Sequence, residues 1–243
     1  MNSGMPFQNS HDSAVSPDDI HYQMLKHLPP NAVNTLLQAL NNICFAGNFP
    51  PSWHTSTVIP LPKPAKDASD PNNYRPIALT SCLCKVMERM VNNTLFWLLE
   101  RNKLITPLQC GFRKQCSTTD HLVRLESFIR EALIQRQHAV DVFFDLEKAY
   151  DCTWKYGIMK DLHQAGLRGR LPYFIEGFLK NRQFSVRLGA CLSGMFDQEM
   201  GVPQGSVLSV ILFVLKINSI VKAMSPGVEC SLYVDDFFYS LSF

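Results

Sequence analysis

Two stretches of this chain place acids where an apolar strand should carry none. Ser231 to Tyr239 reads SLYVDDFFY, so Asp235 and Asp236 interrupt a β-prone run. Charge is tolerated at such a place when a turn presents it to a cation. Upstream, Val140 to Asp151 reads VDVFFDLEKAYD, and Asp145 ends a second apolar run. An Asp-rich turn is common enough that neither stretch decides anything alone. Together they predict two strand-end carboxylates converging across a sheet, a donor set that suits divalent ions and phosphoryl transfer.

The elements that must position these acids follow from periodicity. In the last stretch Cys230, Leu232 and Val234 alternate with Ser231, Tyr233 and Asp235, which predicts a hairpin with the acidic pair at its tip. Val140, Val142 and Phe144 alternate with Asp141, Phe143 and Asp145 in the same way, leaving Asp145 at the exposed end of one face. Gly201-Val202-Pro203-Gln204-Gly205-Ser206 is a loop with backbone freedom, after which Ser206 is expected to cap an apolar helix reaching about Met224. A Gln between glycines at a helix start can approach a nucleotide closely. Pro226-Gly227 should turn the chain into the acidic hairpin.

Earlier in the chain, residues 1–17 are polar and aperiodic and read as a loose tail. A helix opens at Pro29-Pro30, with Val33, Leu36, Leu37, Leu40 and Ile43 at helical spacing. Val58 to Pro64 reads as a Pro-interrupted edge strand, and Tyr74 to Leu79 as its partner. Lys63, Lys66 and Arg75 on that hairpin could close over a triphosphate, since Arg offers a fork to phosphate oxygens and Lys a point charge. Thr80 or Ser81 caps a long helix to about Arg101. Then come a basic loop, Gln109 to Lys114, and a capping-box pattern, Ser117 to Asp120. The helix after it should turn Leu122, Leu125, Ile129, Ala132 and Leu133 inward. Further helices are expected over Trp154–Ala165 and Leu171–Asn181, and a strand through Phe184, Val186 and Leu188.

Composition sets the outer limits. The chain has 243 residues, 46% of them apolar and 18% charged, with 16 Phe, which excludes global disorder and allows a sizeable core. Residues 101–190 carry 15 Lys/Arg against 9 Asp/Glu, whereas residues 191–243 carry 2 against 5. A basic middle leading to an acidic end suits a polyanion track that runs up to a metal-binding centre. The eight Cys show no zinc spacing and are expected to be reduced thiols in core positions of an intracellular protein. No leader is expected at the N-terminus, and no apolar run is long enough to span a bilayer.

Three blocks, Phe143 to Asp151, Gly201 to Ser206, and Tyr233 to Asp236, resemble in order the palm motifs of reverse transcriptases. Tyr74 to Leu79, and Gly111-Phe112-Arg113 with Ser117-Thr118, look like the finger motifs of non-LTR retrotransposons of the jockey-like type. The resemblance implies an α+β fold with a right-hand polymerase palm and fingers. It divides the chain into a tail (1–17), an N-terminal extension with fingers (18–135) and an incomplete palm (136–243). It implies RNA-directed DNA polymerase activity: two-metal nucleotidyl transfer from a dNTP to a primer 3′-hydroxyl on an RNA template, with Mg²⁺ or Mn²⁺.

By the same resemblance, Asp145 and Asp235 bind both ions with help from the Leu146 carbonyl, and Asp236 supports them. Tyr150 stacks under the sugar and rejects a 2′-hydroxyl, Gln204 lies beside the incoming nucleotide, and Arg75 with Lys66 clamps the triphosphate. The family usually has Gly where Asp19 and Ala65 stand, and Arg where Cys116 stands. A chain that stops soon after Asp236 is expected to lack the thumb. A truncated, non-catalytic remnant with weak nucleic-acid binding is therefore the alternative. No membrane partner is expected.

Overall fold

The computed structural model describes Phe7 and residues 18–47, 49–225 and 227–243. The expected tail thus lies outside the described residues except for Phe7, which is 2% exposed and packs into the main core. Pro226 of the expected turn lies outside them as well.

Two sheets carry the chemistry-bearing strands. The smaller has strands β3 (Ala139–Asp145), β7 (Glu229–Tyr233) and β8 (Asp236–Ser242) in the order β3-β8-β7, all antiparallel. The alternation read from the sequence holds: Cys230, Leu232 and Phe237 form a buried cluster on one face. On the other, Ser231 and Phe238 meet His121 of helix α4 (Thr118–Ile134).

The larger sheet has the order β2-β1-β4-β5, built from β1 (Thr55–Pro62), β2 (Tyr74–Leu79), β4 (Gln183–Leu188) and β5 (Cys191–Leu192), and β6 (Phe196–Asp197) also pairs with β4. It takes strands from both sides of residue 135. β1 is not an edge strand throughout. Thr55 and Ser56 pair with β4, Thr57 and Val58 with β4 on one side and β2 on the other, and beyond Val58 the β4 ladder stops, where Pro60 and Pro62 need no second partner.

The remaining helices pack largely on one another. They are α1 (Tyr22–Lys26), α2 (Pro30–Ala46), α3 (Cys82–Arg101), α5 (Lys155–Gln164), α6 (Arg170–Leu179) and α7 (Val207–Ile217). Helix α3 packs on α7, α7 on α5, α5 on α6 and α6 on α2. The stripe along α3 buries Val86, Met87, Leu95 and Leu99, and α7 meets it with Leu208, Leu212 and Leu215. Each such side chain taken from water contributes about 1.5–3 kcal/mol, so this contact anchors the fold.

Four local readings differ from the sequence expectation. On α4 only Ala132 is buried, and Leu122 and Leu133 are 61% and 69% exposed. Its inward stripe is narrower because the helix lies over a three-stranded sheet rather than between layers. Ser206 occupies the cap position of α7, but its hydroxyl does not cap: it bonds to the buried Glu88 carboxylate, which takes the helix amides itself. The helix ends at Ile217 and continues as a 3-10 turn, Asn218–Ala223, rather than running on to Met224. Finally, all eight Cys are free thiols, yet Cys152 and Cys191 are exposed rather than in the core.

Candidate active site

The acids meet because the strands do. Asp145, the last residue of β3, stands in register opposite Asp236, the first residue of β8. Tyr233 also pairs with Asp236, which leaves Val234 and Asp235 as a two-residue hairpin turn beside Asp145. Such turns match the strand twist only with positive φ, and Val234 adopts φ 64°. A β-branched residue is strained there and stays only because its surroundings fix it.

The electrostatics agree with the placement. Burial pushes the Asp235 carboxyl above its usual range, against its own backbone amide, and the neighbouring Asp236 and Asp145 charges raise it further. Burial likewise pushes the Tyr150 phenol up to about 12, helped by the Asp235 charge.

A cavity of about 590 Å³ opens over these groups. Asp145, Leu146, Tyr150 and Asp235 line it together with Gln204, Arg75 and Lys63. Their placement has local causes. The Val202 amide donates to the Tyr150 carbonyl at 2.9 Å, and the Ala78 amide donates to the Gln204 carbonyl at 2.7 Å. The Gly201–Ser206 loop is thereby clipped to the end of the β3 motif and to β2. Both glycines are required by close approach: a Cβ on Gly201 would lie 2.5 Å from the Asp151 carbonyl oxygen, and one on Gly205 would lie 2.7 Å from that of Ala78. Tyr150 itself rests against Phe213 of α7, with ring centroids 5.2 Å apart. The Gln204 side-chain oxygen is buried without a hydrogen-bond partner.

Of the residues singled out from the sequence, the cavity brings together Asp145, Leu146, Tyr150, Asp235, Gln204, Arg75 and Lys63. Lys66 and Asp236 do not line it; both are exposed. Of the two lysines named on the β1–β2 hairpin, Lys63 lines the cavity and Lys66 does not. Lys148 and Asn72, overlooked in the sequence, also line it, and the Lys148 ammonium reaches the Asn72 side-chain oxygen at 3.4 Å. Lys148 had a signal: it follows Asp145 by three residues in the same motif, and its φ of 53° marks a sharp turn.

These donors suit a divalent cation. The Asp145 and Asp235 carboxylates line the cavity with Leu146, and Asp235 is desolvated and repelled by its neighbours, a strain that a bound cation would relieve. Among the described residues no three His, Cys, Asp or Glu side chains form a metal cage by themselves. An ion here would share its shell with non-side-chain oxygens, as Mg²⁺ does when it takes one or two carboxylates plus phosphates.

Comparison with known proteins agrees with the geometry. Residues 61–242 match the family model described as reverse transcriptase (RNA-dependent DNA polymerase). The chain is 31% identical over 92% of its length to an RNA-directed DNA polymerase from the mobile element jockey of Drosophila funebris, covering 25% of that protein. It is 32% identical over 81% of its length to a probable RNA-directed DNA polymerase from transposon BS of Drosophila melanogaster, covering 22%. The chain thus spans about a quarter of the curated relatives it matches. Among solved structures, apo telomerase from Candida tropicalis superposes with a TM-score of 0.59 at 12% identity, over 88% of this chain and 44% of that one. Telomerase from Candida albicans, solved with a fragment of telomeric RNA, superposes with a TM-score of 0.58 at 14% identity, over 95% and 45%. Among the described residues no helix is long and apolar enough to cross a membrane. The chain belongs to the reverse transcriptase family, and its relatives are the polymerases of jockey-like non-LTR mobile elements.

Proposed function

We propose that this cavity is the nucleotidyl-transfer site of an RNA-directed DNA polymerase, joining a dNTP to a primer 3′-hydroxyl on an RNA template. The observation that carries the reading is that Asp145 and Asp235, brought together by the β3–β8 register and the turn beside it, line the same cavity of about 590 Å³ as Arg75 and Lys63. Carboxylates that can hold a divalent cation and side-chain cations that can take phosphate oxygens, lining one cavity, match a triphosphate substrate.

Asp145 and Asp235 would hold Mg²⁺ with the Leu146 carbonyl, and Asp236 adds negative charge beside them. When bound, two such ions lower the pKa of the primer hydroxyl and neutralise the departing pyrophosphate. The protein supplies position and field. Arg75 and Lys63 receive the phosphate oxygens, and Lys148 is a further cation lining the cavity. The Tyr150 ring, fixed against Phe213, underlies the sugar and blocks a 2′-hydroxyl. Gln204 lies beside the incoming nucleotide. The basic surface of residues 101–190 supplies salt-sensitive phosphate contacts to template and primer.

The test is incorporation of deoxynucleotides by the purified chain on a primed RNA template. The reading predicts synthesis that EDTA stops and Mg²⁺ restores, and a Tyr150→Ala variant that admits ribonucleotides more readily. Salt-sensitive binding with no incorporation under any divalent ion would overturn it in favour of the non-catalytic remnant.

A further inference from the structure

The strained turn that carries Asp235 has a brace the catalytic motifs do not contain. Residues 108–110 run parallel to the outer edge of β7: the Leu232 amide donates to the Leu108 carbonyl at 2.9 Å and the Cys110 amide donates to the Leu232 carbonyl at 2.8 Å. Between them Gln109 is wholly buried. Its side-chain oxygen accepts from the Gly111 amide at 2.8 Å and from the Val234 amide at 3.0 Å.

The orientation of this carboxamide is fixed by chemistry. A reversed amide would turn its NH₂ group against two N–H donors. As placed, the oxygen is used twice and the NH₂ is buried without a partner. An unmatched buried donor is unfavourable, and it persists here because the oxygen holds the turn.

Gly111 supports the same arrangement. A Cβ there would lie 2.4 Å from a methyl of Val234 and 2.6 Å from its amide nitrogen, so only glycine allows the loop to come this close. Arg113 then ties the loop to α3. Its guanidinium donates to the Thr106 and Gln109 carbonyls at 3.1 and 3.2 Å, and to the Glu100 carboxylate at 2.7 and 2.8 Å. A continuous chain of hydrogen bonds thus runs from Glu100 through Arg113 and Gln109 to the residue just before Asp235.

We propose that Gln109 is a positioning residue: its carboxamide holds Val234 at positive φ and thereby aims Asp235 at the cation site. The proposal rests on reading Asp235 as a cation ligand. It assigns Gln109 no contact with substrate.

The test reads amide hydrogen exchange and Mn²⁺ affinity in the same protein. In the wild-type chain the Val234 amide should exchange at least about 100-fold more slowly than a free amide. Gln109→Leu should lose most of that protection while the Phe238 amide keeps its own, and should bind Mn²⁺ at least about 10-fold more weakly. Gln109→Glu keeps the acceptor and removes the orphan donor, so it should hold both values within about threefold of wild type; a general loss of fit in the core would not be rescued this way. Unchanged Val234 exchange in Gln109→Leu overturns the brace, and loosened exchange with unchanged Mn²⁺ affinity overturns its positioning role. If Gln109→Leu does not fold, the wild type and Gln109→Glu decide: a Val234 amide exchanging near the free rate in either one overturns the proposal, and protection in both supports it. Asp235→Asn separates the two claims. Undiminished Mn²⁺ binding in that variant contradicts the ligand role of Asp235, and Val234 exchange still decides the brace.

Discussion

The carboxylate of Glu88, buried in the middle of α3, accepts hydrogen bonds from the Ser206 hydroxyl and from the Val207 and Leu208 amides at 2.7 and 3.1 Å. A long-range acid thus does what a local cap usually does: it satisfies the open amides of α7 and meets the positive end of its dipole. It also lies near Arg182, which is 2% exposed and whose protonated form burial disfavours, with Cys84 and Glu88 acting the other way.

Removing that acid should therefore be costly. Glu88→Ala would leave buried donors unsatisfied and Arg182 without its nearby anion, a loss of about 3–5 kcal/mol. A urea titration should show a lower midpoint, and the Gly201–Ser206 loop should become protease-sensitive. An unfolding free energy within about 0.5 kcal/mol of wild type would contradict this account of the cap.

Asp235 should oppose folding at neutral pH when no divalent ion is present. Its folded-state carboxyl is raised above the unfolded value, so any stability it contributes is present at low pH and lost as pH rises through the folded value. Asp235→Asn removes the repelled charge. Thermal melts should show the variant more stable than wild type at pH 7 in EDTA, with the gap closing under acid and shrinking when Mg²⁺ is added. A less stable variant at pH 7 in EDTA would contradict it.

Ala65 stands at φ 57° in the loop between β1 and β2, a conformation that costs a residue with a Cβ about 1 kcal/mol. Ala65→Gly should raise stability by a few tenths of a kcal/mol, the strain relieved slightly outweighing the roughly 0.4–1 kcal/mol of added freedom in the unfolded chain. Chemical denaturation measures it. A destabilised Ala65→Gly would show that the loop draws rigidity from the alanine instead.

Strand β3 leaves Val142, Phe143 and Phe144 exposed at 47%, 66% and 40% on the outer edge of its sheet. An unpaired apolar edge is a template for association. Light scattering should report concentration-dependent self-association, and Phe143→Lys should reduce it. Equal scattering by both proteins would exclude this edge as the cause.

Much of this was readable from residue order because local chemistry and global fold coincide there. Alternation around Cys230–Asp236 and Val140–Asp145 gave the strands and put the acids at their ends. The positive φ values of Asp19 and Ala65 fall where the resembling family carries glycine, so the pattern had already marked the sharp turns. What escaped depends on contacts far apart in sequence. Glu88 reaches Ser206, and Gln109 reaches Val234, across more than a hundred residues each. No local pattern distinguishes Glu88 from a solvated helix acid, or Gln109 from a loop residue. The choice between Lys63 and Lys66 depended on the path of the loop between β1 and β2, which spacing alone does not determine.

The central claim is that Asp145 and Asp235 form one cation site, and a double-mutant cycle on primer extension tests it most directly. Groups that act as a unit are strongly non-additive. Asp145→Ala and Asp235→Ala should each reduce Mg²⁺-dependent incorporation by at least about 10³-fold, and the double variant should be scarcely worse than either alone. Incorporation left untouched by Asp235→Ala, or losses that multiply in the double variant, would contradict it.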